Sequence, residues 1–205
     1  MKASGGYTGR ILYVDLSTRT IRIEPLPQEY MADYIGGQGI NTRLLYNMLK
    51  PTTAPLSPDN PLILGAGPFV GTTIPGACKC NITARSPMTN LYGTAGSGHM
   101  GAMKFAGYDH IVITGRDAEP VYLKITDGEV KFEDASNLWG KDNYQTVDAI
   151  WDAIGTSYSV ASIGQAGENL VREACIIANK YSAFARTGMG ALMGSKNLKA
   201  IAIKG

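Results

Sequence analysis

The sequence predicts an α+β fold made by internal duplication of one hairpin-helix-strand unit, and three observations carry that reading. A β-hairpin pattern occurs twice, about 110 residues apart; a helical pattern follows each hairpin; and an apolar strand running into glycine follows each helix. A period near 100 residues is too long for a solenoid repeat, so one domain over residues 1–205 is expected, with repeat halves of about 7–105 and 108–205.

Residues 10–24, RILYVDLSTRTIRIE, set two alternating β-branched runs around Ser17-Thr18-Arg19, the pattern of two strands joined by a tight turn. In the second half VYLKITDGEVKFED, Val121 to Asp134, carries Asp127-Gly128 at the same point; that dipeptide accepts the positive φ angles of a type I′ turn. The first helical stretch runs from Gln28 to Leu49, with Met31, Tyr34, Ile35, Leu44, Leu45 and Met48 as its apolar residues and an interruption at Gly36-Gly37-Gln38-Gly39. The second runs from Asn143 to Ile154 on Val147, Ile150, Trp151 and Ile154. The strands that follow are PLILGAGP (Pro61 to Pro68) and VASIGQAGEN (Val160 to Asn169). Each unit is expected to close on a basic residue among small ones, with CKCNITARSP in the first matching YSAFARTGMG in the second. Such a duplication sets its glycine turns about a pseudo-twofold axis, a geometry suited to a ligand made of two similar halves.

At 205 residues with 44% apolar content the chain can bury a continuous core. Its net charge of +2 comes from interspersed Lys, Arg, Asp and Glu, so no basic stripe argues for nucleic acid. Apolar runs such as Pro61 to Val70 fall short of the roughly 20 residues that span a bilayer, and the N-terminal MKASGGYTGR lacks the apolar centre of a signal peptide. A cytoplasmic location is the resulting expectation. Cys78, Cys80 and Cys175 are expected to be reduced thiols that ligate no metal, because no second Cys/His pair stands at ligand spacing.

The 25 glycines fall in clusters, which points to backbone approached closely by something else. Thr94 to Gly101 is a run of small residues before Ala102, Met103, Lys104 and Phe105; as a turn opening a helix it would present backbone amides to an anion. Gly96, Gly98 and Gly101 match the letters of the dinucleotide fingerprint, but no βαβ alternation surrounds them, so a nicotinamide cofactor is not expected. In Ala183-Phe184-Ala185-Arg186 the guanidinium offers a planar, permanently charged fork beside residues small enough to admit a flat ring. Lys79 is a second positive group, placed after the Pro75-Gly76 turn and before the strand Asn81 to Ala84. His99 stands alone beside glycine, either a proton donor near a cofactor or a hydrogen-bonding loop residue.

Five segments taken together, GGYTGRILYVDLSTRTI, LILGAGPFVGTTIPG, KFAGYDHIVITG, ASIGQAGENLV and GMGALMGSKNLKAIAIKG, resemble the N-terminal domain of the aldehyde ferredoxin oxidoreductase family. The resemblance covers essentially the whole chain, and the five motifs stand in the family's order. It implies a domain of two similar α+β halves cradling a tungsten, or sometimes molybdenum, bis-pyranopterin, with magnesium between the pterin phosphates. By that resemblance the cofactor contacts fall on Lys79, Gly96, Gly98, Ala183, Phe184, Ala185 and Arg186, and main-chain carbonyls of Gly96 and Phe184 would serve magnesium. No catalytic residue is implied within this chain.

Three departures from the family pattern stand out: Lys79 replaces an Arg, Gly96 an Asn and Ala183 an Arg. Lysine keeps charge but loses bidentate geometry. The family's 4Fe-4S cluster and its aldehyde pocket belong to later domains, so this chain alone is expected to be inactive. The expected partners are ferredoxin or another electron-transfer subunit and the remaining domains of the enzyme, in cis or as a separate subunit. The implied reaction is oxidation of an aldehyde to a carboxylate. The alternatives are a related tungsten enzyme acting on another substrate, such as an aromatic thioester, and a cofactor-binding or scaffold module without activity of its own.

Overall fold

The computed structural model describes residues 5–205; the first four residues of the expected span, and of the N-terminal stretch read as no signal peptide, lie outside the described residues. The first unit is a hairpin of β1 (Arg10–Asp15) and β2 (Thr20–Pro25), helices α1 (Gln28–Asp33) and α2 (Gln38–Met48), strands β3 (Leu62–Ala66), β4 (Cys80–Arg85) and β5 (Tyr92–Ser97), the single turn α3 (Ala102–Phe105) and strand β6 (His110–Thr114). The second unit is a hairpin of β7 (Val121–Thr126) and β8 (Glu129–Asp134), helix α4 (Asn143–Ile154), β9 (Ser159–Ser162), the single turn α5 (Gln165–Glu168), β10 (Ile176–Ala178), β11 (Ser182–Phe184), α6 (Met189–Ser195) and β12 (Leu198–Lys204).

Local chemistry explains the boundaries. Asp127 and Gly128 both take positive φ, 46° and 89°, as a type I′ turn requires. Gly36 and Gly37 at φ 72° and 48° split the first helical stretch where the sequence placed the break. Helix α4 starts at a capping box: the Asp142 carboxylate accepts from Gln145 N at 2.8 Å, and the Gln145 side chain accepts from Asp142 N at 3.2 Å.

Each unit builds one six-stranded sheet, and the two sheets have the same plan. The first runs β2-β1-β6-β3-β4-β5 and the second β8-β7-β12-β9-β10-β11. In each, one pair is parallel (β1 with β6, β7 with β12) and the others are antiparallel. The duplication read from the sequence is therefore present in the strand connectivity.

Two details of that reading change. The first sheet takes its sixth strand from His110–Thr114, so the first unit ends at Thr114 and the expected boundary of about 105/108 moves to the link before Val121. The reason is non-local: β6 belongs to the first unit because it pairs with β1, in register with residues 99 positions earlier, Ile11 facing His110, a hydrogen-bonding partnership no local pattern announces. CKCNITARSP and YSAFARTGMG are not counterparts either. The former supplies β4, whose equivalent is β10, whereas β11 is equivalent to β5.

Alternation along the strands sorts side chains into three cores. Leu12, Val14, Leu64, Ile111 and Ile113 from the first sheet meet Leu123, Ile125, Ile201 and Ile203 from the second in one shared core. The opposite faces carry Ile11, Ile63 and Val112 against α2, and Tyr122, Val160 and Ala200 against α4. A buried ion pair, Lys104 Nζ with Asp109 at 2.5 Å, ties α3 to β6 and to the N-terminal segment, whose Thr8 and Gly9 amides donate to the same carboxylate at 3.1 and 2.7 Å. Burial raises the Asp109 pKa, but Lys104 and these amides outweigh it and hold the carboxyl below its ordinary value.

Candidate functional site

The two edge strands at equivalent places in the two sheets, β5 and β11, lie against one another. Ser86 Oγ donates to Thr187 O at 2.9 Å, and the His99 and Tyr181 rings stand edge-on with centroids 6.4 Å apart. A Cβ placed on Gly98 would lie 3.6 Å from Ser182 Oγ. The structure thus brings Gly96 and Gly98 beside Ala183 to Arg186, residues about 90 apart in sequence.

The glycines fall into two physical classes. Some are required by packing: a Cβ on Gly194 would sit 2.0 Å from Gly167 O, and one on Gly190 2.4 Å from Cys175 O. Others are not. At Gly67 and Gly98 φ is unremarkable and an added Cβ would meet nothing within 4 Å or only ordinary contacts; at Gly96 it would meet the movable Asn81 amide at 3.3 Å. Since neither backbone conformation nor internal packing demands glycine at Gly67, Gly96 and Gly98, the missing side chains bare main chain on one rim of the molecule. Main chain bared in this way admits a flat ligand against it.

The remaining predicted residues surround this rim to differing degrees. Lys79 is exposed and borders a hollow of about 260 Å³ with Ile35, Gly67 and Pro68. Ala185 and Arg186 are exposed and Ala183 is half-buried. Phe184 is wholly buried, its side chain in the shared core, so neither its side chain nor its main chain is open to a ligand here. Of the two residues whose carbonyls were expected to serve magnesium, Gly96 is exposed on edge strand β5, whereas Phe184 on β11 is wholly buried.

One expectation about the glycine run is overturned. Gly96 is the fifth residue of strand β5 and not part of a turn opening a helix, and α3, which starts only at Ala102, has four residues. A single turn has almost no aligned dipole to offer an anion. An anion at this segment would have to be held by edge-strand amides and nearby cations, not by a helix N-terminus.

His99, exposed at φ 64°, lines a second hollow of about 370 Å³ with Cys78, Gly101, Ser159 and Asn179. The three cysteines are free thiols, Cys78 exposed and Cys80 buried; burial, with Cys78 adding to it, pushes the Cys80 thiol up to about 12. Among the described residues no group of three His, Cys, Asp or Glu is placed to hold a metal ion. A mainly apolar groove of about 640 Å³ between α2 and the Asn90–Tyr92 segment contains none of the predicted residues.

The sequence reading passed over Asn81, on β4 two positions after Lys79. Asn81 is paired in register with Gly96, and its carboxamide lies between the positions that Cβ atoms on Gly37 and Gly96 would take, at 3.5 and 3.3 Å. Its burial arises from cross-strand pairing, so no local signal marked it. Two buried side-chain polar atoms, Ser97 Oγ and His110 Nε2, lack a hydrogen-bond partner among the described residues.

The sequence matches the family described as aldehyde ferredoxin oxidoreductase, N-terminal domain, over residues 11–205. It is 44% identical over 98% of its length to a tungsten-containing aldehyde ferredoxin oxidoreductase of Pyrococcus furiosus and 43% identical over 98% to that of Thermococcus kodakarensis, spanning 34% of each relative. It is 33% identical over 97% of its length to the WOR-like subunit of an aliphatic sulfonate oxidoreductase of Pyrococcus furiosus, covering 34% of that protein. Among solved structures, the active site complex BamBC of benzoyl coenzyme A reductase with 1,5 dienoyl-CoA superposes with a TM-score of 0.95 at 36% identity, over 98% of this chain and 31% of that one.

Proposed function

The chain belongs to the aldehyde ferredoxin oxidoreductase N-terminal domain family, and from that premise we propose that it is the cofactor-binding domain of a tungsten or molybdenum bis-pyranopterin oxidoreductase. The observation that carries the reading is the pair of equivalent edge strands, β5 and β11, meeting along a rim where Gly67, Gly96 and Gly98 bare main chain that the fold does not need bared. A ligand of two similar flat halves suits a rim contributed by two equivalent strands. When bound, the cofactor supplies the two-electron redox centre at which an aldehyde is oxidised to a carboxylate.

The protein's own share is binding and orientation. Main-chain amides along β5, where Gly96 leaves the backbone bare, meet the ligand beside the small residues of β11, while Lys79 and Arg186, both exposed, neutralise its phosphates. A magnesium ion held with the cofactor would use the main-chain carbonyl of exposed Gly96, and would reach that of Phe184 only if the buried strand end opened. The well-packed shared core beneath fixes both strands, so the metal position is set by a rigid base. The 4Fe-4S cluster, the substrate pocket and the ferredoxin-facing surface are assigned to the remainder of a longer enzyme, since this chain spans 34% of its curated relatives. The working compartment is the cytoplasm; among the described residues no helix is long and apolar enough to cross a membrane.

A second reading keeps the cofactor and changes the substrate, because the relatives include a benzoyl coenzyme A reductase complex and a sulfonate oxidoreductase subunit. One experiment addresses both. The chain is co-expressed with its genomic neighbours in a tungstate-supplied host, tungsten and pterin are measured, and activity is followed as dye reduction by an aldehyde or a sulfonate and as oxidation of reduced dye by an aromatic thioester. Stoichiometric tungsten with aldehyde-dependent reduction supports the first reading, and tungsten with activity only on another substrate supports the second. Protein that retains neither metal nor pterin would be a scaffold, and the proposal fails.

A further inference from the structure

Asn81 occupies a position that the surrounding chain is built to hold. Its main-chain carbonyl accepts from Asn41 Nδ2 at 3.2 Å, and the same amide nitrogen donates to Ile63 O at 3.1 Å and to Thr83 Oγ1 at 3.3 Å, so α2, β3 and β4 are clamped together at this point. Asn41 is itself oriented from the other side, its Oδ1 2.7 Å from His110 Nδ1. The clamp exists only because residue 65 is glycine: a Cβ there would lie 2.2 Å from Asn41 Oδ1. All of this fixes the Asn81 backbone. The Asn81 carboxamide, by contrast, makes no hydrogen bond among the described residues, although it is half-buried between Gly37, the N-cap of α2, and Gly96 on the edge strand.

A carboxamide kept free on a fixed backbone, next to bared main chain at Gly67 and Gly96, is a recognition group. It presents one donor and one acceptor in a plane, the complement of a ring edge that carries an acceptor beside a donor. A 2-amino-4-oxopteridine has such a lactam edge, with a C=O beside an N–H. A phosphate offers only acceptors and would use half of the amide; the exposed cation that serves a phosphate here is Lys79, on the hollow beyond Gly67. We infer that Asn81 is a ligand-contacting, specificity-determining residue that pairs through its carboxamide with the lactam edge of a pterin lying over Gly96. The inference rests on the proposed pterin-binding role and adds to it the residue that reads the ring.

The test uses the full chain and two probes: bis-pterin cofactor released from a tungsten enzyme, and free hydroxymethylpterin, which has the ring edge and no phosphate. Binding of the free pterin is followed by its fluorescence. Asn81→Ala should weaken it by about tenfold to a hundredfold, the worth of a bidentate pair, with the melting temperature unchanged because the amide bonds nothing in the fold. Asn81→Asp, which removes the donor and adds a charge, should lose at least as much. Wild type that retains the released cofactor yet binds hydroxymethylpterin no better than Asn81→Ala overturns this inference and leaves the domain's role standing. Wild type that retains no cofactor overturns the proposed function, and this inference with it.

Discussion

His110 Nδ1 lies 2.7 Å from the carboxamide oxygen of Asn41, inside a wholly buried pocket between α2 and the first sheet. Because the Asn41 nitrogen is already donating to Ile63 O and Asn81 O, its oxygen must accept, so the proton sits on His110 Nδ1 and Nε2 is bare. Burial, more than its charged neighbours, holds the imidazole neutral with its pKa depressed to about 4. An unfolded chain would take up that proton near the ordinary histidine value of about 6.5. Stability is therefore full above about pH 6.5 and is lost as pH falls towards 4, by about 3 kcal/mol from this group. Melting curves across that range should show His110→Gln losing less stability than wild type on acidification; parallel pH profiles would refute the assignment.

The two classes of glycine should respond oppositely to a methyl group. Gly194→Ala drives a Cβ into Gly167 O at 2.0 Å, a clash with backbone that cannot step aside, and should cost about 3 kcal/mol or more. Gly67→Ala adds a methyl where nothing lies within 4 Å, and should be neutral or stabilising by up to about 1 kcal/mol through the unfolded state. Chemical denaturation of both variants decides this, and similar losses in the two would end the distinction.

Arg186 is exposed and forms no ion pair among the described residues, so its removal should leave the fold intact. If it holds a phosphate of the cofactor, Arg186→Ala loses a charge-assisted bond and weakens retention by roughly 10- to 100-fold. Tungsten content after gel filtration reads this directly. Equal metal in wild type and variant removes Arg186 from the site.

Breaking the buried pair should be expensive on either side. Lys104→Met strands the Asp109 carboxylate, itself 0% exposed, and should destabilise the chain by about 3 to 5 kcal/mol. The double variant Lys104→Met, Asp109→Asn should recover much of that loss. A double variant no more stable than the single one would show that the carboxylate's bonds to Thr8 and Gly9 matter more than the pairing.

Local chemistry was sufficient for the hairpins and helices. Asp127-Gly128 specifies its turn by φ, Asp142 and Gln145 start α4 at the residue expected, and Gly36-Gly37 breaks the helical stretch, because each of these signals acts within a few residues of chain. The recurrence of these signals was also enough to reveal the duplication. Tertiary structure decided the rest. That β6 belongs to the first sheet, that β11 answers β5 and not β4, and that Gly96 is strand and not turn all depend on pairing between strands far apart in sequence, whose hydrogen bonds leave no local trace. The glycines look alike as letters, and only the packed molecule separates Gly194, which the core requires, from Gly67, which it does not. Asn81 was invisible for the same reason: its character comes from Asn41, His110 and Gly65, brought to it from three other elements by the closure of the sheet.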